Sequence, residues 1–211
     1  MNMIKHNALL AMSFYLLNLA SFGIEAQEIK AVQLYSQDEL IKLINENEHL
    51  DRVVLDRCQL NRDIEARAQV LKVPAYQFLW GDMLAWGVCV EADPERGLGF
   101  MRDAASQGLP AALEQLGRYR SSGILLQQDK AKAVVYFREA SALGLIKAQV
   151  QLVELFLEGY GSPYDYEDAY HWLYSTVTDD KELHEHITSL RTNLEALMHP
   201  KAVASAKRRV D

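Results

Sequence analysis

One spacing constrains this chain more than any other: a 36-residue unit stands three times in register through its middle. Gly81 recurs as Gly117, Gly87 as Gly123 and Gly159, and Asp93 as Asp129 and Asp165. Phe100 recurs as Tyr136 and Trp172, and Ala104 as Ala140, before the pattern weakens at Thr176. No insertion interrupts it. A period between about 20 and 50 residues marks stacked supersecondary units, none of which can bury its apolar face alone. Chains built this way usually work by presenting an extended surface to other proteins.

Each unit reads as two antiparallel helices. In the first, helix A is expected from about Pro74 to Trp86 and helix B from Pro94 to Ser106. Asp93-Pro94 is a helix start, with Asp at the N-cap and Pro at the first helical position; Asp129 and Asp165 occupy the same place. Gly87, Gly123 and Gly159 are expected to end each helix A, and Gly108 and Gly144 each helix B, where a left-handed residue is needed. Gly81 and Gly117 fall inside helix A, at a cost of about 1 kcal/mol against alanine. Their recurrence predicts a close helix contact, with Ala104 and Ala140 as the small partners across it. The expected fold is all-α: an α-solenoid of about three helix pairs over 74–109, 110–145 and 146–180.

The flanks read as a leader and two caps. Lys5 precedes an apolar run from Ala8 to Ala20, and Ile24-Glu25-Ala26 offers a small residue at a cut, so residues 1–26 read as a secretory signal peptide. The run is shorter than the roughly 20 residues a spanning helix needs. Residues 27–73 are expected to form an N-terminal cap, beginning with an unstructured lead over 27–35. Ser36 and Glu39 then form a capping box, followed by Leu40, Ile41, Leu43, Ile44 and Leu50 at helical spacing. A second helical stretch is expected from about Leu60 to Leu71. Residues 181–211 are expected to be a C-terminal helical cap. Its apolar stripe is Leu183, Ile187, Leu190, Leu194 and Leu197, ended by Pro200 and followed by a short helix from about Ala202 to Arg209.

The net charge is −7, with a short basic end at Lys207, Arg208 and Arg209. That balance is a poor basis for nucleic acid binding, which depends on neutralising phosphates. The two cysteines, Cys58 and Cys89, read in an exported chain as one disulfide tying the cap to the first unit; two separate buried thiols are the alternative.

The unit resembles the Sel1-like repeat, a relative of the tetratricopeptide repeat. Its second copy carries the pattern best: Leu116-Gly117, Tyr119, Gly123, Asp129, Ala133, Tyr136, Ala140 and Gly144. The first copy departs with Trp80 and Gly97, and the third with Val153 and Asp180, so the third helix pair is expected to differ. Longer stretches resemble the MotX family, periplasmic proteins of the sodium-driven polar flagellar motor. They are Ala75-Tyr-Gln-Phe-Leu-Trp-Gly-Asp-Met-Leu-Ala-Trp-Gly-Val-Cys89, Gly108-Leu-Pro-Ala-Ala-Leu-Glu-Gln-Leu-Gly-Arg-Tyr119 and residues 160–174. The resemblance implies a non-enzymatic adaptor in the T ring of the flagellar basal body. It would contact a MotY-like ring protein and the periplasmic part of a PomB-like stator subunit, so that PomA/PomB-like stators are held at the rotor.

Catalytic signatures are sparse. There is no nucleophile elbow, no His-Glu-x-x-His and no phosphate-cradling glycine loop. His184 and His186 stand two apart, on different sides of a helix, and His171 reads as a surface or packing residue. Helix capping explains the three periodic aspartates. No cofactor and no metal are expected. Partner binding is expected on the concave side, lined by helix A, at Asp82, Trp86, Glu114, Arg118 and Glu154. Trp86 reads either as an interface anchor or as packing against the N-terminal cap. Of the aromatics between 160 and 174, Trp172 reads as core, and Tyr160 and Tyr164 stay open between core and docking patch. The rival function is an exported Sel1-repeat protein that binds or processes cell-wall fragments. That activity would need a pocket with convergent polar groups.

Overall fold

The computed structural model describes residues 33–209, which form eleven α-helices, one 3-10 turn and no strand. The expected leader, 1–26, lies outside the described residues. Helix α1 (Gln37–Glu46) starts where the Ser36 hydroxyl accepts the Glu39 N–H at 3.1 Å. It stops at Asn47, whose φ of 58° is left-handed. The apolar spacing through Leu50 suggested one continuous helix. Asn47 breaks it, because a short amide side chain tolerates the left-handed region, and α2 (His49–Leu55) starts afresh. Helix α3 (Asn61–Gln69) completes the N-terminal trio.

Three helix pairs follow. They are α4 (Pro74–Trp86) with α5 (Pro94–Ser106), α6 (Pro110–Ser122) with α7 (Lys130–Ala142), and α8 (Ile146–Leu157) with α9 (Tyr166–Ser175). Proline opens α4, α5 and α6 at a position where a missing N–H costs nothing. Asp93 and Asp129 cap α5 and α7, accepting the N–H groups of Arg96 at 3.1 Å and Lys132 at 2.9 Å. Asp165 holds the N-cap position of α9, but its side chain accepts no cap hydrogen bond. Pro163 sets off a 3-10 turn over Pro163–Asp165 with Ser162 as its cap. Asp165 is thereby drawn inside the turn, where it pairs with Arg138 at 3.2 Å.

The glycines inside the first helices do mark close approaches, but not to the expected alanines. A Cβ on Gly81 would stand 2.8 Å from the Gly97 carbonyl oxygen, and one on Gly97 would stand 2.5 Å from that of Gly81. A Cβ on Gly117 would strike the Phe137 ring. Gly97, a departure from the repeat pattern, thus lets two backbones touch. Buried Val153 fills the corresponding place in α8, and α8 and α9 contact each other far less than the first two pairs do.

Helix α10 (Lys181–Glu195) lies against α8 and α9, and α11 (Pro200–Ala206) against α9. Ile187, Leu190 and Leu194 are buried as the stripe predicts, while Leu197 is exposed because α10 ends at Glu195. The apolar interior forms two clusters. One runs from α1 to α6 around Leu40, Ile64, Leu79 and Met101, the other reaches α11 around Phe137, Leu152, Phe156 and Tyr170. Ala105 and Tyr136 touch both. Each fully buried leucine or phenylalanine contributes about 1.5–3 kcal/mol.

Candidate interaction site

The first helices of the three pairs, α4, α6 and α8, meet along one face, and the residues expected to bind partners lie on or under it. Asp82, Arg118 and Glu154 hold one repeat position, 36 residues apart, yet their surroundings differ. Asp82 is buried, at 3% exposure. Helix α2 folds over α4 there, so His49 Nε2 lies 2.8 Å from Asp82 Oδ2 and the His49 ring stands edge-on to Phe78. The Tyr119 hydroxyl donates to Asp82 Oδ1 at 3.2 Å, and Trp86 Nε1 donates to that hydroxyl at 3.2 Å. A polar chain therefore runs from the cap through α4 and α6 to Trp86. Burial, then the neighbouring Asp82 charge, hold the Tyr119 phenol well above its ordinary range. His49 Nδ1 is buried without a partner. Asp82 is closed to a partner protein by the cap, contrary to the outward position its repeat spacing suggested.

Glu114 is also buried, against expectation. Arg118 Nε approaches its Oε1 at 3.0 Å and Gln151 Nε2 donates to the same oxygen at 2.6 Å, linking α6 to α8. Arg118 Nη2 donates to Gln115 Oε1. The Arg118 side chain is still 42% exposed, and Glu154 is half-exposed beside His186 at 3.0 Å. Trp86 is 49% exposed, with its ring 6.3 Å from that of Tyr119 rather than sealed beneath the cap.

Two depressions follow this face. One, of about 330 Å³, is lined by Trp86, Gln115, Arg118, Tyr119, Ile124 and Gln151 among others. The other, of about 590 Å³, is more apolar, with Leu145, Ile146, Val150 and Leu183 together with Lys147 and Gln151. Gln151 belongs to both. The end of α1 also reaches this face, where the Asn45 carbonyl accepts Lys147 Nζ.

Cys58 and Cys89 form a disulfide with Cα atoms 5.5 Å apart, joining the turn after α2 to the turn after α4. Both cysteines have left-handed backbones, with φ of 58° and 62°, and Asn61 Nδ2 donates to the Cys89 carbonyl at 2.6 Å. Among the aromatics, Tyr170 is buried, Trp172 half-buried, Tyr160 partly exposed beneath the Lys130 ammonium, and Tyr164 95% exposed. His171 is buried, with Nδ1 2.9 Å from the Ala206 carbonyl oxygen, and His184 and His186 are exposed. Among the described residues no three His, Cys, Asp or Glu side chains gather as a metal would require. No described helix is long and apolar enough to cross a membrane.

Sequence reasoning missed His49, because its helix reads as the tail of α1, and Gln151, an amide without a distinguishing pattern. Tyr119 stood in the repeat motif, but only its place in three dimensions gives it a polar role.

Stacked helix pairs with a polar and apolar trough on their shared face define a Sel1-repeat solenoid, and the Sel1 repeat family matches residues 6–37, 74–109, 110–145 and 146–175. The first of these matches overlaps the expected leader and falls largely outside the described residues. Two solved structures resemble this one. A protective antigen of uropathogenic Escherichia coli with an SLR fold aligns at a TM-score of 0.51 and 20% identity, over 79% of this chain and 42% of that one. A Sel1 repeat protein from Oxalobacter formigenes aligns at a TM-score of 0.48 and 23% identity, over 70% of this chain and 52% of that one. The chain thus spans about half the length of those solved relatives or less. Over 178 residues the chain is 53% identical to the sodium-type polar flagellar protein MotX of Vibrio parahaemolyticus serotype O3:K6, covering 84% of each. The chain belongs to the MotX family of Sel1-repeat proteins.

Proposed function

We propose that this protein is a periplasmic, non-enzymatic component of a sodium-driven polar flagellar motor. It acts as an adaptor in the T ring, contacting a MotY-like ring protein and the periplasmic part of a PomB-like stator subunit. The observation that carries the reading is the 53% identity to MotX along 84% of both chains. The cap-to-repeat disulfide suits an oxidising compartment, and a half-exposed tryptophan on a helical face suits protein contact. Deleting the gene should leave filaments assembled but unable to rotate, and restoring the chain should restore swimming. A deletion strain that swims normally would contradict the assignment.

A further inference from the structure

The geometry points to a latch built into the fold: Lys147 of α8 grips the end of α1, holds the two halves of the solenoid at one angle, and so sets the width of the depression between them. The device is a property of this chain alone and does not rest on the motor reading.

A stack of helix pairs holds together through contacts between neighbours, so its curvature can change wherever two neighbours meet loosely. The loose place here lies at α5 and α6, which touch each other far less than α4 touches α5 or α6 touches α7. Ala111, Ala112, Leu116 and Tyr119 of α6 join the apolar cluster of the first half, whereas its Leu113 joins that of the second. Beyond α6, the half-buried Ala105 and Tyr136 are the described residues that pack against both.

One contact departs from this order of neighbours. Helix α1 packs mainly on α2 and α4, yet its Asn45 carbonyl accepts Lys147 Nζ from the third helix pair, 102 residues along the chain. Among the described residues no other hydrogen bond or ion pair joins the N-terminal trio to an element beyond α5.

The end of α1 calls for a cation. The N–H groups of Asn47 and Glu48 take the Ile44 and Leu43 carbonyls, which leaves the Asn45 carbonyl without a main-chain donor. Such carbonyls at a helix end carry partial negative charge, and α1 has no basic residue in its own last turn. Lys147 supplies the charge from across the stack.

The depression of about 590 Å³ lies at this contact, with Asn45 lining it from the first half and Ile146, Lys147, Val150 and Leu183 from the second. With the bond made, its two sides are held together. With the bond broken, the joint at α6 lets them part as a hinge does.

The test uses the chain from residue 27 onward with the Cys58–Cys89 bridge intact. Nitroxide spin labels go on Lys42→Cys and Glu185→Cys, whose parent side chains are 74% and 68% exposed. Pulsed electron–electron double resonance then reads the distance from α1 to α10. The parent should give one narrow distribution. Lys147→Met should raise the separated population about five-fold, the size of one exposed charge-assisted bond. Lys147→Arg should keep the parent distribution, because a guanidinium also donates to a carbonyl. Lys132→Met, which removes an exposed lysine of α7 instead, should keep it too. Lys147 is exposed, so circular dichroism should show its variants folded. A broad distribution in the parent, or none of the expected change in Lys147→Met, would overturn the latch. So would the Lys147→Met change appearing equally in Lys147→Arg or Lys132→Met.

Discussion

Gly81 and Gly97 meet backbone to backbone, and this contact makes α4 and α5 the tightest of the three pairs. Gly81→Ala and Gly97→Ala should each destabilise the chain by about 1–3 kcal/mol, because main-chain atoms cannot move aside as a ring can. Gly99 lies in the same helix as Gly97, with nothing within 4 Å of its would-be Cβ. Gly99→Ala should therefore stabilise by about 0.5–1 kcal/mol. Urea unfolding of the three variants checks the contrast, and equal losses would contradict it. The sequence announced that something comes close to Gly81, but not what: Ala104 and Ala140 have the right size and period, and only the helix rotation selects Gly97 and Phe137. Asp82 teaches a similar lesson. Its repeat position is outward-facing in α6 and α8, and a helix outside the repeat buries it in α4. The Tyr119 that binds it gives a pH signature. Folding raises the Tyr119 phenol, through burial first, and Tyr35 likewise through burial and its bond to Asp56. Stability tied to these protons is complete below the ordinary phenol pKa of 10.0 and is lost as pH rises above it. Melting temperature between about pH 9 and 11 should fall less steeply in Tyr119→Phe than in the parent. Parallel slopes would refute the link.

Element boundaries followed the sequence wherever a cap chemistry fixed them. Ser36, Asp93 and Asp129 accept the N–H three residues on, and Gly87 and Gly123 end their helices in the left-handed region. The misreadings have local causes: Asn47 divides one expected helix into two, and the 3-10 turn at Pro163 leaves Asp165 at its N-cap position with its side chain on Arg138 instead of a helix N–H. Asp129→Ala should therefore cost about 1 kcal/mol. Asp165→Ala should cost less, losing only an exposed pair with Arg138. Thermal melts of both variants decide, and a larger loss at Asp165 would contradict the cap assignment. The Cys58–Cys89 bridge couples the cap to the first pair across 31 residues. Cys58→Ser should lose about 3–4 kcal/mol on the chain-entropy account and become insensitive to reductant. An unchanged urea midpoint of the parent after reduction would count against the bridge.

At the scale of the whole molecule, the 36-residue period was enough to give paired helices stacked in order, because each pair repeats the same caps and small residues. The binding face was only partly legible. Periodicity names the residues of one helix side, but it cannot show that α1 and α2 fold back over that side, covering Asp82 while leaving Trp86 and Arg118 open. The central claim is that this solenoid works by contact with neighbouring motor proteins. The most direct measurement is a pull-down from envelope extract with the chain from residue 27 onward as bait, its captured proteins identified by mass spectrometry. The account predicts a MotY-like ring protein and a PomB-like stator subunit. Retention of cell-wall fragments with neither motor protein would contradict it.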